Sequence, residues 1–203
     1  MPDYPAPDPE KLRKLQEALD EYAAGQHAPL IDEAHEKETS RIREKALRLL
    51  DQRSRSRHEL RERLVGTGPE PQFEPDLIDE VLGALESSGL IDDASFAHEW
   101  VRQRATARGK SARALDLELR NKGVAEPLRA EALAQITAED EEAQARVVAE
   151  KKVREVKVPP EDRAEYDKVL RRVVGVLARR GYNSELTMRV ARETLDARIA
   201  EVG

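Results

Sequence analysis

Apolar residues along this chain return at three- and four-residue steps, and they do not alternate with period two as in a half-buried strand. From Glu10 to Ala24 the series Leu12, Leu15, Ala18, Leu19 and Tyr22 forms one stripe of an amphipathic helix, which Gly25 is placed to end. Residues 1–10, with four prolines, three acids and no apolar period, read as a loosely attached tail. The polar stretch HAPLIDEAHEKETS reads as a linker running into helix, and ALRLLDQRSRSRHELRERL begins the strongest helical pattern. Within that pattern Ser56 and Glu59 match an S-x-x-E capping box, which predicts a new helix near Ser56 that buries Leu60 and Leu64. VREVKVPP is the one short strand candidate, and it reads better as a helix ending before Pro159 and Pro160.

The same pattern recurs three times. A leucine stands four residues before a glycine, which is placed to end a helix as its cap, at Leu64 and Gly68, Leu119 and Gly123, and Leu177 and Gly181. An apolar residue follows each glycine (Phe73, Val124, Tyr182), then others at four-residue steps: Leu77, Leu128 and Leu186, then Val81, Ala132 and Val190. The first copy needs the insertion PEPQ. Matching helix starts are expected at Glu74 with Pro75, Ala125 with Pro127, and Asn183 with Ser184. The glycine spacing leaves room for three short helices per unit. The expected fold is all-α: an elongated tandem array of three three-helix repeats with an extra N-terminal helical segment. Its parts are a tail with one amphipathic helix and a linker (1–41), then repeats at 42–91, 92–138 and 139–203.

Composition agrees with a thin helical array rather than a large globular core. Hydrophobic residues make up 39%, aromatics 3% and charged residues 37%, and the mean hydropathy is −0.72. The net charge of −6 hides a strong segregation. Residues 41–63 carry +5 (nine bases, four acids), 102–122 carry +5 (seven, two) and 146–180 carry +5 (eleven, six), while 64–101 carry −9 with no base at all. A solvated helical surface accounts for any one basic block; three blocks at matching places in three repeats suggest a stripe that meets phosphates or an acidic groove.

With no cysteine, thiol chemistry and disulfides are excluded and a reducing cytoplasm is permitted. No apolar run approaches a membrane span and the N-terminus lacks a signal-peptide pattern, so a soluble cytoplasmic protein is expected. His27, His35, His58 and His98 lack metal-ligand spacing, and neither a nucleotide loop nor a G-x-S-x-G nucleophile occurs. The RGKS run (Arg108 to Ser111) imitates the tail of a phosphate loop but lacks its upstream glycine; it reads as a basic turn capping a helix at Ser111. Asp92 with Asp93, and Glu139 to Glu142, sit where helices should begin, which suits the helix dipole better than a metal. Neither enzyme chemistry nor a cofactor is expected. Phe96, Ala97, Trp100 and Val101 share one helix face, which assigns Trp100 to the core.

The runs ALRLLDQRSRSRHELRERL, IDEVLGALESSGLIDDASFAHEWVRQRATARGKSARALDLELRNKGV and LARRGYNSEL resemble successive units of the RecX family, over about residues 42–200. That resemblance implies a regulator of DNA repair and recombination and of the SOS response. It implies a curved helical array that binds the RecA recombinase, above all its filament on single-stranded DNA, and limits filament growth, ATPase or strand exchange. The candidate contact residues are the basic ones. Arg102, Arg104, Arg108, Lys110, Arg113 and Lys122 crowd around one turn; Arg53, Arg55 and Arg57 hold the matching place in the first unit, and Lys151, Lys152, Arg179 and Arg180 belong to the third. A monomer is expected, with weak direct DNA contact compatible. The alternative is a helix-turn-helix module that binds DNA directly; the acidic total charge and the scarcity of aromatic residues weigh against it.

Overall fold

The computed structural model describes residues 9–23, 33–66 and 72–203, and every regular element among them is a helix. The helices are α1 (Pro9–Ala23), α2 (Glu33–Gln52), α3 (Arg57–Val65), α4 (Pro75–Ser87), α5 (Asp93–Arg108), α6 (Ala112–Asn121), α7 (Glu126–Leu133), α8 (Ala138–Val153), α9 (Arg163–Arg179) and α10 (Ser184–Val202). No helix among the described residues is long and apolar enough to cross a membrane. The chain divides into two compact units, Met1–Arg41 and Ile42–Gly203.

In the first unit, α1 follows the predicted amphipathic stretch, and Leu12 on it is exposed. The side chains of Leu15, Ala18, Leu19 and Tyr22, like Gly25 and residues 1–8, lie outside the described set. The stretch read as a linker becomes helix at Glu33, where α2 starts. Thr39, buried on α2, returns its hydroxyl to the carbonyls of His35 and Glu36, both at 3.1 Å.

The second unit holds three hydrophobic clusters in chain order. Ile42 and Ala46 of α2 meet Leu60 and Leu64 of α3, and Ile78, Val81 and Leu82 of α4. Phe96, Ala97 and Val101 of α5 meet Leu115 and Leu119 of α6 and Ala132 of α7. Ala145, Val148 and Ala149 of α8 meet Val173 and Leu177 of α9 and Val190, Ala191 and Leu195 of α10. The repeat register holds at its central positions: Phe73, Val124 and Tyr182 are all buried, as are Val81, Ala132 and Val190. In the first copy Gly66, not Gly68, ends the helix, its N–H reaching the Glu62 carbonyl; Gly68 falls outside the described residues.

Local chemistry sets the helix starts. Ser56 and Glu59 form the expected reciprocal capping box, and Thr137 and Asp140 form a second. Ser111, Asp92, Asp162 and Asn183 each accept the N–H three residues on. Pro75 and Pro127 occupy the first turns of α4 and α7, where a missing N–H costs nothing.

Successive clusters are joined by a repeated seam. The start of α3 rests on the turn after α6: Ser56 Oγ donates to the Lys122 carbonyl at 2.6 Å, and the Arg57 N–H donates to Asp93 at 2.8 Å. The start of α6 rests on the turn after α9 in the same way. There Ser111 N–H donates to the Arg180 carbonyl at 3.0 Å and Ala112 N–H to Glu141 at 2.9 Å. At both seams the turn carries a glycine of positive φ, Gly123 (+69°) and Gly181 (+90°), pressed so close that a side chain has no room. A Cβ on Gly123 would run into His58, and one on Gly181 would stand 2.6 Å from Ser111 Oγ and 2.7 Å from Ala114 Cβ.

Candidate partner interface

The seams place many of the predicted cations. At the first, a cleft of about 670 Å³ is lined by Arg53, Arg55 and Arg104 together with Phe96 and Trp100. At the second, a cleft of about 430 Å³ around Gly109 is lined by Arg108, Lys151 and Arg180. Basic blocks far apart in sequence therefore converge because the turn after the second helix of one three-helix unit is stitched to the start of the second helix in the unit before it.

The two clefts differ in how far their charge is neutralised. No carboxylate lines the second cleft, and Arg108 and Lys151 have no ion-pair partner among the described residues. Arg180 makes a backbone contact instead, Nε donating to the Arg108 carbonyl at 3.2 Å. Beside it the buried Tyr182 hydroxyl donates to the Gly109 carbonyl at 3.0 Å; burial, with the nearby Glu141, pushes its pKa up to about 12. This turn, the RGKS run of the sequence, is thus a basic loop held by the third unit.

At the first seam cations and acids interlock. Trp100 packs against the edge of the middle core, its ring centre 5.5 Å from that of Phe96, but it is not enclosed there as its periodicity suggested. It is half-buried between two cations, with the Arg104 guanidinium 3.6 Å and the Lys122 ammonium 4.1 Å from the ring centre. Its indole N–H donates to Glu118 at 2.9 Å, and Glu118 also binds Lys110 and lies 3.7 Å from Arg104. Glu59 accepts from Arg53 at 3.0 Å and from Lys122 at 2.7 Å. Burial opposes its ionisation, yet those hydrogen bonds and charges prevail and hold its pKa at about 2.

The remaining predicted cations lie apart from these two clefts. Arg57 pairs with Asp79 and Glu86, Arg102 with Glu99, and Lys152 with Glu155. Arg113 and Arg179 are exposed. Periodicity and charge counting missed Glu59 and Glu118, the acids that organise the first seam; the one available signal was Arg104 standing one helical turn after Trp100. They also missed a third cleft of about 360 Å³, where Lys157, Lys168 and Arg172 surround the exposed Val158.

A family model described as the second three-helix domain of RecX matches residues 92–133, the span of α5 to α7. The regulatory protein RecX of Corynebacterium efficiens is 51% identical over 196 residues, covering 95% of this chain and 91% of the relative. That of Mycolicibacterium vanbaalenii is 43% identical over 145 residues, covering 71% and 77%. The crystal structure of RecX from Lactobacillus salivarius superposes with a TM-score of 0.65 at 22% identity, covering 79% of this chain and 98% of that one, which shows the fold. Helical seams, repeat register and sequence identity over nearly the whole length agree: this chain belongs to the RecX family of regulatory proteins.

Proposed function

We propose that this chain binds the RecA recombinase, in particular its filament on single-stranded DNA, and restrains filament growth, ATPase and strand exchange through its basic seam surfaces. The observation that carries the reading is the second cleft: Arg108, Lys151 and Arg180 meet around one turn with no carboxylate in the lining. A concentration of cations without internal partners is available to an anionic filament surface, and it works without any catalytic group. The first seam contributes less free charge, because Arg104 and Lys110 already serve Glu118.

Direct reading of DNA by a helix-turn-helix unit is the weaker alternative. The third helix of such a unit would enter the major groove. Here α4 carries Asp76, Asp79, Glu80 and Glu86 with no base, the one base of α7, Arg129, is paired with Asp116, and of the three arginines of α10, Arg189 is paired with Glu142 and Arg198 with Glu201.

The test is the double variant Arg108→Glu/Lys151→Glu. Arg108 and Lys151 are exposed and hold no core contact, so far-UV circular dichroism and melting temperature should match the parent. Affinity for the RecA–single-stranded DNA filament should fall by about tenfold or more, the salt dependence of the remaining binding should shrink, and inhibition of the DNA-dependent ATPase should weaken. A folded double variant that binds and inhibits like the parent would defeat the proposal.

A further inference from the structure

One buried cation at the first seam has no counter-charge. Arg55 is 5% exposed, and among the described residues no carboxylate lies within ion-pair distance of it. Its Nε donates to the Leu49 carbonyl at 2.9 Å and its Nη2 to the Gln52 side chain at 3.2 Å, while Nη1 is buried with no acceptor. Buried guanidinium groups are ordinarily matched by an anion, since an uncompensated charge inside a protein is costly.

The surroundings aggravate the imbalance. Arg53 and Arg104 line the same cleft. Burial, followed by the charges of Arg53 and Arg63, lowers the pKa of Arg55 against the opposing charge of Glu59; burial, then Arg108, with Arg53 adding, lowers that of Arg104 against Glu118 and Glu59. The neighbouring acids are committed elsewhere: Glu59 to Arg53 and Lys122, Glu118 to Trp100, Lys110 and Arg104. The lip of the cleft is apolar, formed by Leu50 and by Leu90, which is 55% exposed. Asp92 and Glu99 also line the cleft but are already engaged, Asp92 by Ser95 and Glu99 by Gln103 and Arg102, which hold both below the ordinary carboxylate range.

We propose that this cleft receives a carboxylate side chain from an acidic peptide segment of the partner protein, with a neighbouring apolar side chain covering Leu50 and Leu90. The proposal rests on the reading above that the basic seams face a partner. A single carboxylate brings the missing counter-charge to Arg55, beside the already paired Arg53 and Arg104, and Gln52, an exposed neutral acceptor, can give way to it for a charge-assisted hydrogen bond. A phosphodiester strand fits less well, because it would carry a charge at every step past Asp92 and Glu99.

Trp100 is the one tryptophan of the chain and lines this cleft, so its fluorescence reports occupancy in the intact protein. The probes are a blocked peptide Gly-Leu-Asp-Glu-Phe-Gly, its neutral twin with Asn and Gln in place of the acids, and a short oligothymidylate. The acidic peptide should give a saturable change and the neutral twin none. Arg53→Gln and Leu90→Glu, both at exposed positions, should each weaken the peptide by about tenfold, and Arg55→Gln should abolish it, while Arg113→Gln leaves it unchanged. No saturable response in the parent, an equal response to the neutral twin, or a response to oligothymidylate alone would overturn the proposal. If Arg108→Glu/Lys151→Glu loses the filament while the peptide fails to bind the parent, the cleft proposal falls and the proposed function stands. If the parent binds the peptide but not the filament, the cleft proposal stands and the proposed function falls.

Discussion

At the scale of the residue, Gly123 and Gly181, like Gly109 against Val148, are closely constrained positions, because each combines a left-handed backbone with a neighbour where a Cβ would lie. Gly181→Ala would incur the left-handed strain of about 1–2 kcal/mol and crowding of about 1–3 kcal/mol, a destabilisation of about 2–5 kcal/mol in thermal melts. Gly83, inside α4 with nothing near its missing Cβ, is the control: Gly83→Ala should stabilise by about 1 kcal/mol. A neutral Gly181→Ala would mean that the seam yields. The glycines were legible in the sequence as helix caps, since a glycine four residues past a buried leucine predicts a left-handed turn. Their second role was not, because His58 and Ala114 lie 65 and 67 positions upstream and no local pattern links them. In the first repeat Gly66 and Gly68 suit a cap equally by composition; α3 is capped at Gly66, and Gly68 lies outside the described residues.

Elements begin where local chemistry predicts, by side-chain caps at Ser56, Ser111 and Asn183 and by a proline in the first turn after Glu74 and Ala125, because such signals span only four or five consecutive residues. What the same residues do across the seam was hidden. Ser56 caps α3 and also donates to the Lys122 carbonyl, whereas Thr137 caps α8 at an exposed position with only its own box. Ser56→Ala should therefore cost about 2–3 kcal/mol, against about 1 kcal/mol for Thr137→Ala, a difference measurable by urea unfolding. Equal costs would show that the seam hydrogen bond adds nothing. The linker reading of residues 27–40 gave way at Glu33 because polar helix formers carry no apolar stripe from which periodicity could be read. Trp100 sits at the edge of the core rather than inside it for a related reason: periodicity fixes the face a residue lies on, not whether Arg104 of the same helix and Lys122 of the turn after α6 will cover its ring.

At the scale of the whole molecule, the charge blocks read from the sequence turn into paired networks, and their coupling makes stability depend on pH. Glu59 is held at about 2 in the folded chain against an ordinary 4.5. Its contribution is complete above the ordinary value and is lost as pH falls through the folded one, on the order of 2–3 kcal/mol between about pH 4.5 and 2. Asp93 in the same seam acts in the opposite sense. Burial raises its pKa despite the Arg57 N–H, so its contribution is greatest below the ordinary carboxylate range and declines as pH climbs through the raised value. Glu59→Gln should flatten the acid limb of the stability curve measured by urea unfolding, and an unchanged limb would remove Glu59 as its source. The seams have a last consequence, for heredity. Each unit owns its core, but the residue allowed at position 58 or 114 is decided by a glycine in the following unit. Recombination between distant relatives at a unit boundary would transmit every core intact and still join mismatched partners. Successful chimaeras should therefore be those in which the glycine turn and the helix start resting on it are inherited from the same parent.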